Sequence, residues 1–151
     1  MRGGTTSLEG RLTTLAVGPK RAAATWEDLV IPLDDAIDRL GRAWGLVDHL
    51  QAVCNTPELR QVYSTQLPKV SEFWSRMTQN DRLFEQYRCL DASADALGLD
   101  LVRRRVIEHA LRNCHLGGVA LAPDQKARFG ELRSELAALS ARFSDNVLDA
   151  T

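Results

Sequence analysis

The sequence predicts an all-α fold, a helical bundle of about five helices, on three observations. Apolar residues recur at steps of three and four along most of the chain, the spacing that lines one face of a helix. Leu, Ala, Arg, Glu and Gln dominate, whereas the β-branched and aromatic runs of a strand are missing. Proline, glycine and capping side chains punctuate the pattern at intervals that suit helices joined by short loops. With 151 residues the chain has room for one domain with a real core.

Leu8, Leu12 and Leu15 predict a short helix over 7–16, which Gly18-Pro19 breaks. Residues 1–23 are therefore expected to be a flexible segment around that helix, and 24–151 the helical domain. Thr25, followed three residues later by Asp28, reads as a capping box. The helix it opens carries Leu29, Leu33, Ile37, Leu40, Trp44, Val47 and Leu50 on one stripe. Pro32 should end a short first segment or kink it.

Asn55-Thr56-Pro57-Glu58 is a helix start: a capping side chain, a proline at the first position, then an acid. Leu59, Val62, Tyr63, Leu67, Val70, Phe73, Trp74 and Met77 follow as its apolar face, with Pro68 predicting a second kink. Asn80-Asp81 caps a helix bearing Leu83, Phe84, Tyr87 and Leu90; the stretch 91–98 is weakly patterned. A further helix runs over about 100–114 through Val102, Val106, Ile107, Ala110 and Leu111. Gly117-Gly118 should end it by supplying left-handed backbone.

Pro123-Asp124 starts the last helix, whose Phe129, Leu132, Leu136, Leu139, Phe143 and Val147 share one stripe. No Gly, Asn or Pro stops it, and Asp149 has the wrong sign for the negative end of a helix dipole. A chain that ends inside such a helix is expected to be cut from a longer one.

Charge excludes some functions. Nineteen basic and twenty acidic residues give a net charge of -1, without the footprint for nucleic acid or an anionic membrane. No apolar run spans a bilayer and no secretory signal is present, so a cytoplasmic location is expected. Cys54, Cys89 and Cys114 are odd in number and widely spaced, which fits reduced cysteines acting as small hydrophobes in apolar stripes. The Arg103-Arg104-Arg105 run points three ways round a helix and reads as a solvated face.

Chemistry is sparse. His49, His109 and His115 form no H-E-x-x-H pair. Cys114 and His115 are adjacent, so they diverge by about 100° on a helix and cannot converge on a metal alone. Asp34, Asp35 and Asp38 share a face with arginines, which favours solvation over cation binding. Trp26, Trp44, Phe73, Trp74, Phe84 and Tyr87 fall on apolar stripes and read as core. From the residues alone there is no catalytic, cofactor-binding or metal-ligating set.

Three stretches carry a family resemblance. They are Thr25-Trp26-Glu27-Asp28-Leu29-Val30-Ile31-Pro32-Leu33 leading to Asp38-Arg39-Leu40; Asn55-Thr56-Pro57-Glu58-Leu59-Arg60; and Ala110-Leu111-Arg112, Leu116-x-Gly118 and Leu121 joined to Phe143-Ser144-Asp145-Asn146-Val147-Leu148-Asp149-Ala150-Thr151. Their order and spacing resemble the thimet oligopeptidase/oligopeptidase A family of zinc metallopeptidases. The chain begins closer to the Thr25-Trp26 motif than is usual there.

The resemblance implies the N-terminal helical part of a longer, mostly helical peptidase that hydrolyses short peptides. The family's zinc site, an H-E-x-x-H helix with a further glutamate, lies far downstream. No cofactor is therefore expected in this chain, which should form a wall of the peptide channel and be inactive alone. Its expected partner is the missing catalytic half, or a second copy through the exposed C-terminal helix. The alternative is a free-standing helical interaction or regulatory protein that lost its catalytic half.

Overall fold

Thr25 opens the helical part with extended backbone (φ −83°, ψ 170°), and its hydroxyl accepts a hydrogen bond from the Asp28 N–H at 3.2 Å. The computed structural model describes residues 24–54 and 56–150, so the short helix expected over 7–16, the segment 1–23 and the capping role of Asn55 lie outside the described residues. Trp26–Val30 form a wide turn in which the Ile31 N–H donates to the Trp26 carbonyl. Pro32 has no N–H to offer the Asp28 carbonyl, so the ordinary i→i+4 ladder is broken there. The chain answers with a change of pitch and then continues as helix.

Five α-helices follow: α1 (Ile31–Cys54), α2 (Pro57–Thr78), α3 (Asp81–Ala92), α4 (Leu101–Leu116) and α5 (Pro123–Asp149). No strand occurs among the described residues. Thr56 caps α2 through the Leu59 N–H, Asn80 caps α3 through the Arg82 and Leu83 N–H groups, and Asp100 caps α4 through the Arg103 N–H. Each such cap is worth about 1 kcal/mol to its helix. α2 runs through Pro68 without interruption in its span.

The core sits at one end of the bundle. Leu29, Val30 and Leu33 pack with Leu83, Tyr87 and Leu90 of α3 and with Ile107 of α4. Ala94 and Leu99 complete the cluster from the 91–98 stretch and the residue after it, where helical periodicity gives no signal. That turn is closed by its own backbone, the Leu99 N–H donating to the Ala94 carbonyl at 3.0 Å.

Gly117 and Gly118 end α4 by different means. Only Gly118 is left-handed, at φ +87°. Gly117 keeps ordinary backbone, but a Cβ there would collide with the Thr78 side chain at the end of α2. The first glycine therefore permits close approach and the second turns the chain.

Farther from the core, the bundle is held by the long contact of α5 along α2. The face of α5 turned inward is made of Lys126, Gly130, Ser134, Ala137, Ala141 and Asp145, all partly covered. At about 100° per residue, Leu132, Leu136, Leu139 and Phe143 lie roughly opposite that face. They are exposed, Leu136 at 62% and Phe143 at 70%. The stripe that periodicity picked out as the apolar side of this helix is thus its outer side. Leu50, Val62 and Val102 also depart from the expected apolar faces and are exposed.

Truncations should report this division. Ile107→Ala, at a site with no exposure, should cost about 2–5 kcal/mol in urea denaturation. Leu139→Ala should stay within about 0.5 kcal/mol in dilute solution. Gly117→Ala should cost about 1–3 kcal/mol through the clash with Thr78.

Candidate functional site

The residues that sequence singled out for chemistry are not brought together. His49 and His109 are exposed on different helices. His115 packs edge-on against Phe84 (ring centroids 5.4 Å apart), while its neighbour Cys114 is buried, with burial pushing its thiol pKa up. Among the described residues no group of three or more His, Cys, Asp or Glu could hold a metal ion.

Asp38 pairs with Arg42 at 2.7 Å, as a solvated helix face would. Asp34 is held above its usual pKa first by partial burial and then by Asp35. The three consecutive arginines disperse: Arg103 lies over the Trp26 ring, Arg104 reaches Asp95 and the Leu99 carbonyl, and Arg105 pairs with Glu108. Of the cysteines only Cys114 is buried. Cys54 and Cys89 are exposed, although all three were expected in or near apolar stripes. Cys89 lies on the side of α3 away from Leu83, Tyr87 and Leu90, and Cys54 is the last residue of α1.

What the fold does assemble is a polar clamp between the start of α2, the end of α1 and the end of α5. Arg60 donates to both carboxylate oxygens of Asp149, one bond measuring 2.9 Å. Its Nε lies 3.7 Å from Asp145 Oδ1, to which Gln51 Nε2 donates at 2.6 Å. Gln51 is buried, whereas Asp149 remains well exposed. Beside the clamp Tyr63 stacks on Trp44 with ring centroids 5.1 Å apart, and its hydroxyl donates to Asp48 at 2.8 Å.

Asp145 and Asp149 are four residues apart, so both carboxylates reach one side of α5. The pairing with Arg60 also resolves the misplaced charge expected of Asp149: the acid at the helix's negative end is neutralised from α2. Sequence reasoning quoted Arg60 in one motif and both aspartates in another without joining them. Their separation of 89 residues leaves no local signal of contact.

Charge and burial set the local titrations. Hydrogen bonding to Arg60 holds the Asp149 carboxyl below its usual 3.8. Burial, then the bond to Asp48, pushes Tyr63 up to about 12, and burial raises Tyr87 as well. The clamp consists of one guanidinium, two carboxylates and one amide. It is a fastening, and the side of α5 turned away from α2 carries the exposed Leu132, Leu136, Leu139 and Phe143.

A family model for the neurolysin/thimet oligopeptidase N-terminal domain matches residues 5–126. Oligopeptidase A of Haemophilus influenzae is 39% identical over 132 residues, covering 87% of this chain and 19% of that protein. A probable cytosolic oligopeptidase A of Arabidopsis thaliana is 37% identical over 132 residues, again 87% and 19% of the two chains. Oligopeptidase A of Escherichia coli is 38% identical over 130 residues, 86% and 19%. The chain spans about a fifth of the length of these curated relatives.

Two titrations follow from the clamp. A carboxyl whose folded pKa is depressed stabilises the fold above its unfolded pKa and loses that contribution as pH falls through the folded value. The melting temperature should therefore drop on acidification below about pH 4, and Arg60→Ala should flatten that limb; equal slopes would remove the clamp's role. The two tyrosines should develop little tyrosinate absorbance in the folded chain up to about pH 11, where a free phenol is mostly ionised.

Proposed function

This chain belongs to the neurolysin/thimet oligopeptidase family, and from that we propose that it forms the N-terminal, channel-wall part of a zinc-dependent oligopeptidase that hydrolyses short peptides. In this reading the 151 residues supply helical framework and no catalytic group. The carrying observation is that the family match falls on the N-terminal domain. The motifs of this chain support it through what they do. Thr25 starts the first helix, Gly118 turns the chain after α4, and the Arg60 motif is fastened to the Asp145 and Asp149 motif. All are architectural.

A wall of this kind must keep its shape without help from a bound metal, and the clamp does that by joining residues distant in sequence. The zinc, in the complete enzyme, would activate water for peptide-bond attack. We place the protein in the cytoplasm. In support, no described helix is long and apolar enough to cross a membrane, and one relative is named a probable cytosolic enzyme.

The exposed apolar side of α5 favours a second reading, a helical interaction or regulatory protein whose function is to bind. Cleavage separates the two only through the larger enzyme, so the direct test is of this chain. Purified, it should contain no stoichiometric zinc by atomic absorption and should leave a quenched fluorescent oligopeptide uncut. Chelator-sensitive cleavage by the 151-residue chain would overturn the assignment of a purely framework role.

A further inference from the structure

The outer side of α5 is more than apolar: it is spaced for another helix. Phe129, Leu132, Leu136, Leu139 and Phe143 follow one another at steps of three, four, three and four, the a/d repeat of a coiled-coil seam. Four of these five are exposed, and Phe129 is half-buried with Arg133 beside its ring. A helix that buries a stripe in its own fold does not need this register on its other side. The flanking positions are charged, with Arg128, Glu135 and Arg142 preceding the a residues and Arg133 and Ser140 following the d residues.

We propose that two copies of this chain pair through α5, antiparallel about a two-fold axis. Charge selects both the occupant and its direction. In an antiparallel pair with Leu136 opposite the partner's Leu139, Leu132 meets the partner's Phe143, and the two-fold repeats each contact. The residue before Leu136 is Glu135, and the one facing it across the seam is the partner's Arg142. The pairing is reciprocal. Neither Glu135 nor Arg142 has an ion-pair partner among the described residues, whereas Arg128 is already paired with Glu131 at 2.9 Å. A parallel pair would instead set Arg128 beside the partner's Arg133, a like-charge contact. The inward side of α5 is engaged with α2, so the seam forms without rearranging the fold.

Self-association is read from the oligomeric state and the peptidase reading from zinc content and cleavage, so the failure of one is distinguishable from the failure of the other. Sedimentation equilibrium of the 151-residue chain from about 1 to 100 μM should show a monomer–dimer equilibrium. Leu136→Glu should abolish it while circular dichroism keeps the monomer's helicity. Glu135→Arg and Arg142→Glu should each weaken the dimer about tenfold, and the double reversal should restore it to within about threefold. A wild-type chain that stays monomeric, or a double reversal as weak as the singles, overturns the proposal. A monomer that instead forms a one-to-one complex with the separately expressed remainder of an oligopeptidase A assigns the face to that partner, and also overturns it.

Discussion

The way α5 lies on α2 constrains most of what this molecule can present to its surroundings. Two helices approach closely when small residues line the contact, and here Gly130, Ser134, Ala137 and Ala141 of α5 take that place. The choice is paid for in position: once the small side is turned inward, the leucines and Phe143 must face out. Arg60 then holds this rotation by gripping Asp145 and Asp149, which sit at the inner edge of the same helix. Turning the leucine stripe inward would carry both aspartates away from the guanidinium. It would also force branched side chains into a gap sized for alanine.

The two ends of the bundle are stabilised by different physics. Near the wide turn, Leu29, Val30, Leu90 and Ile107 are almost wholly removed from water, and burial of this kind contributes about 1.5–3 kcal/mol per side chain. At the other end the buried residue of α1 is Gln51, and it is satisfied by Asp145. A buried amide left without that partner would cost about as much as a core methyl-rich side chain gains. Specific polar pairing therefore replaces hydrophobic area at that end, where Gln51, Arg60, Asp145 and Asp149 join α1, α2 and α5.

The fold class was legible because helical periodicity is local, and helix starts at Thr25 and Asn80 were read from single side chains that do cap. Periodicity reports which residues share a side of a helix and is silent on which side is covered. That is why the α5 stripe was found correctly as a stripe, while its outward orientation emerged only in three dimensions. Ala94 and Leu99 were missed for a related reason, since they enter the core from a turn that has no repeat. The clamp was invisible because Arg60 and Asp149 meet across most of the chain's length. Gly117 and Gly118 look alike in sequence and differ only in what surrounds them.

An inside-out helix of this kind is tolerated only under particular conditions. Exposed leucines are ordinary when scattered, but a continuous stripe in coiled-coil register keeps a standing free-energy gain for whatever covers it. The gain is directional, because a seam of a/d side chains accepts a helix and rejects a flat or irregular surface. It is also rotationally fixed, because the clamp prevents α5 from rolling to hide the stripe against α2. The same ion pairs that fasten α5 on its inner side thus keep the outer side exposed. In this protein the polar contacts are what fix the direction in which the apolar stripe faces.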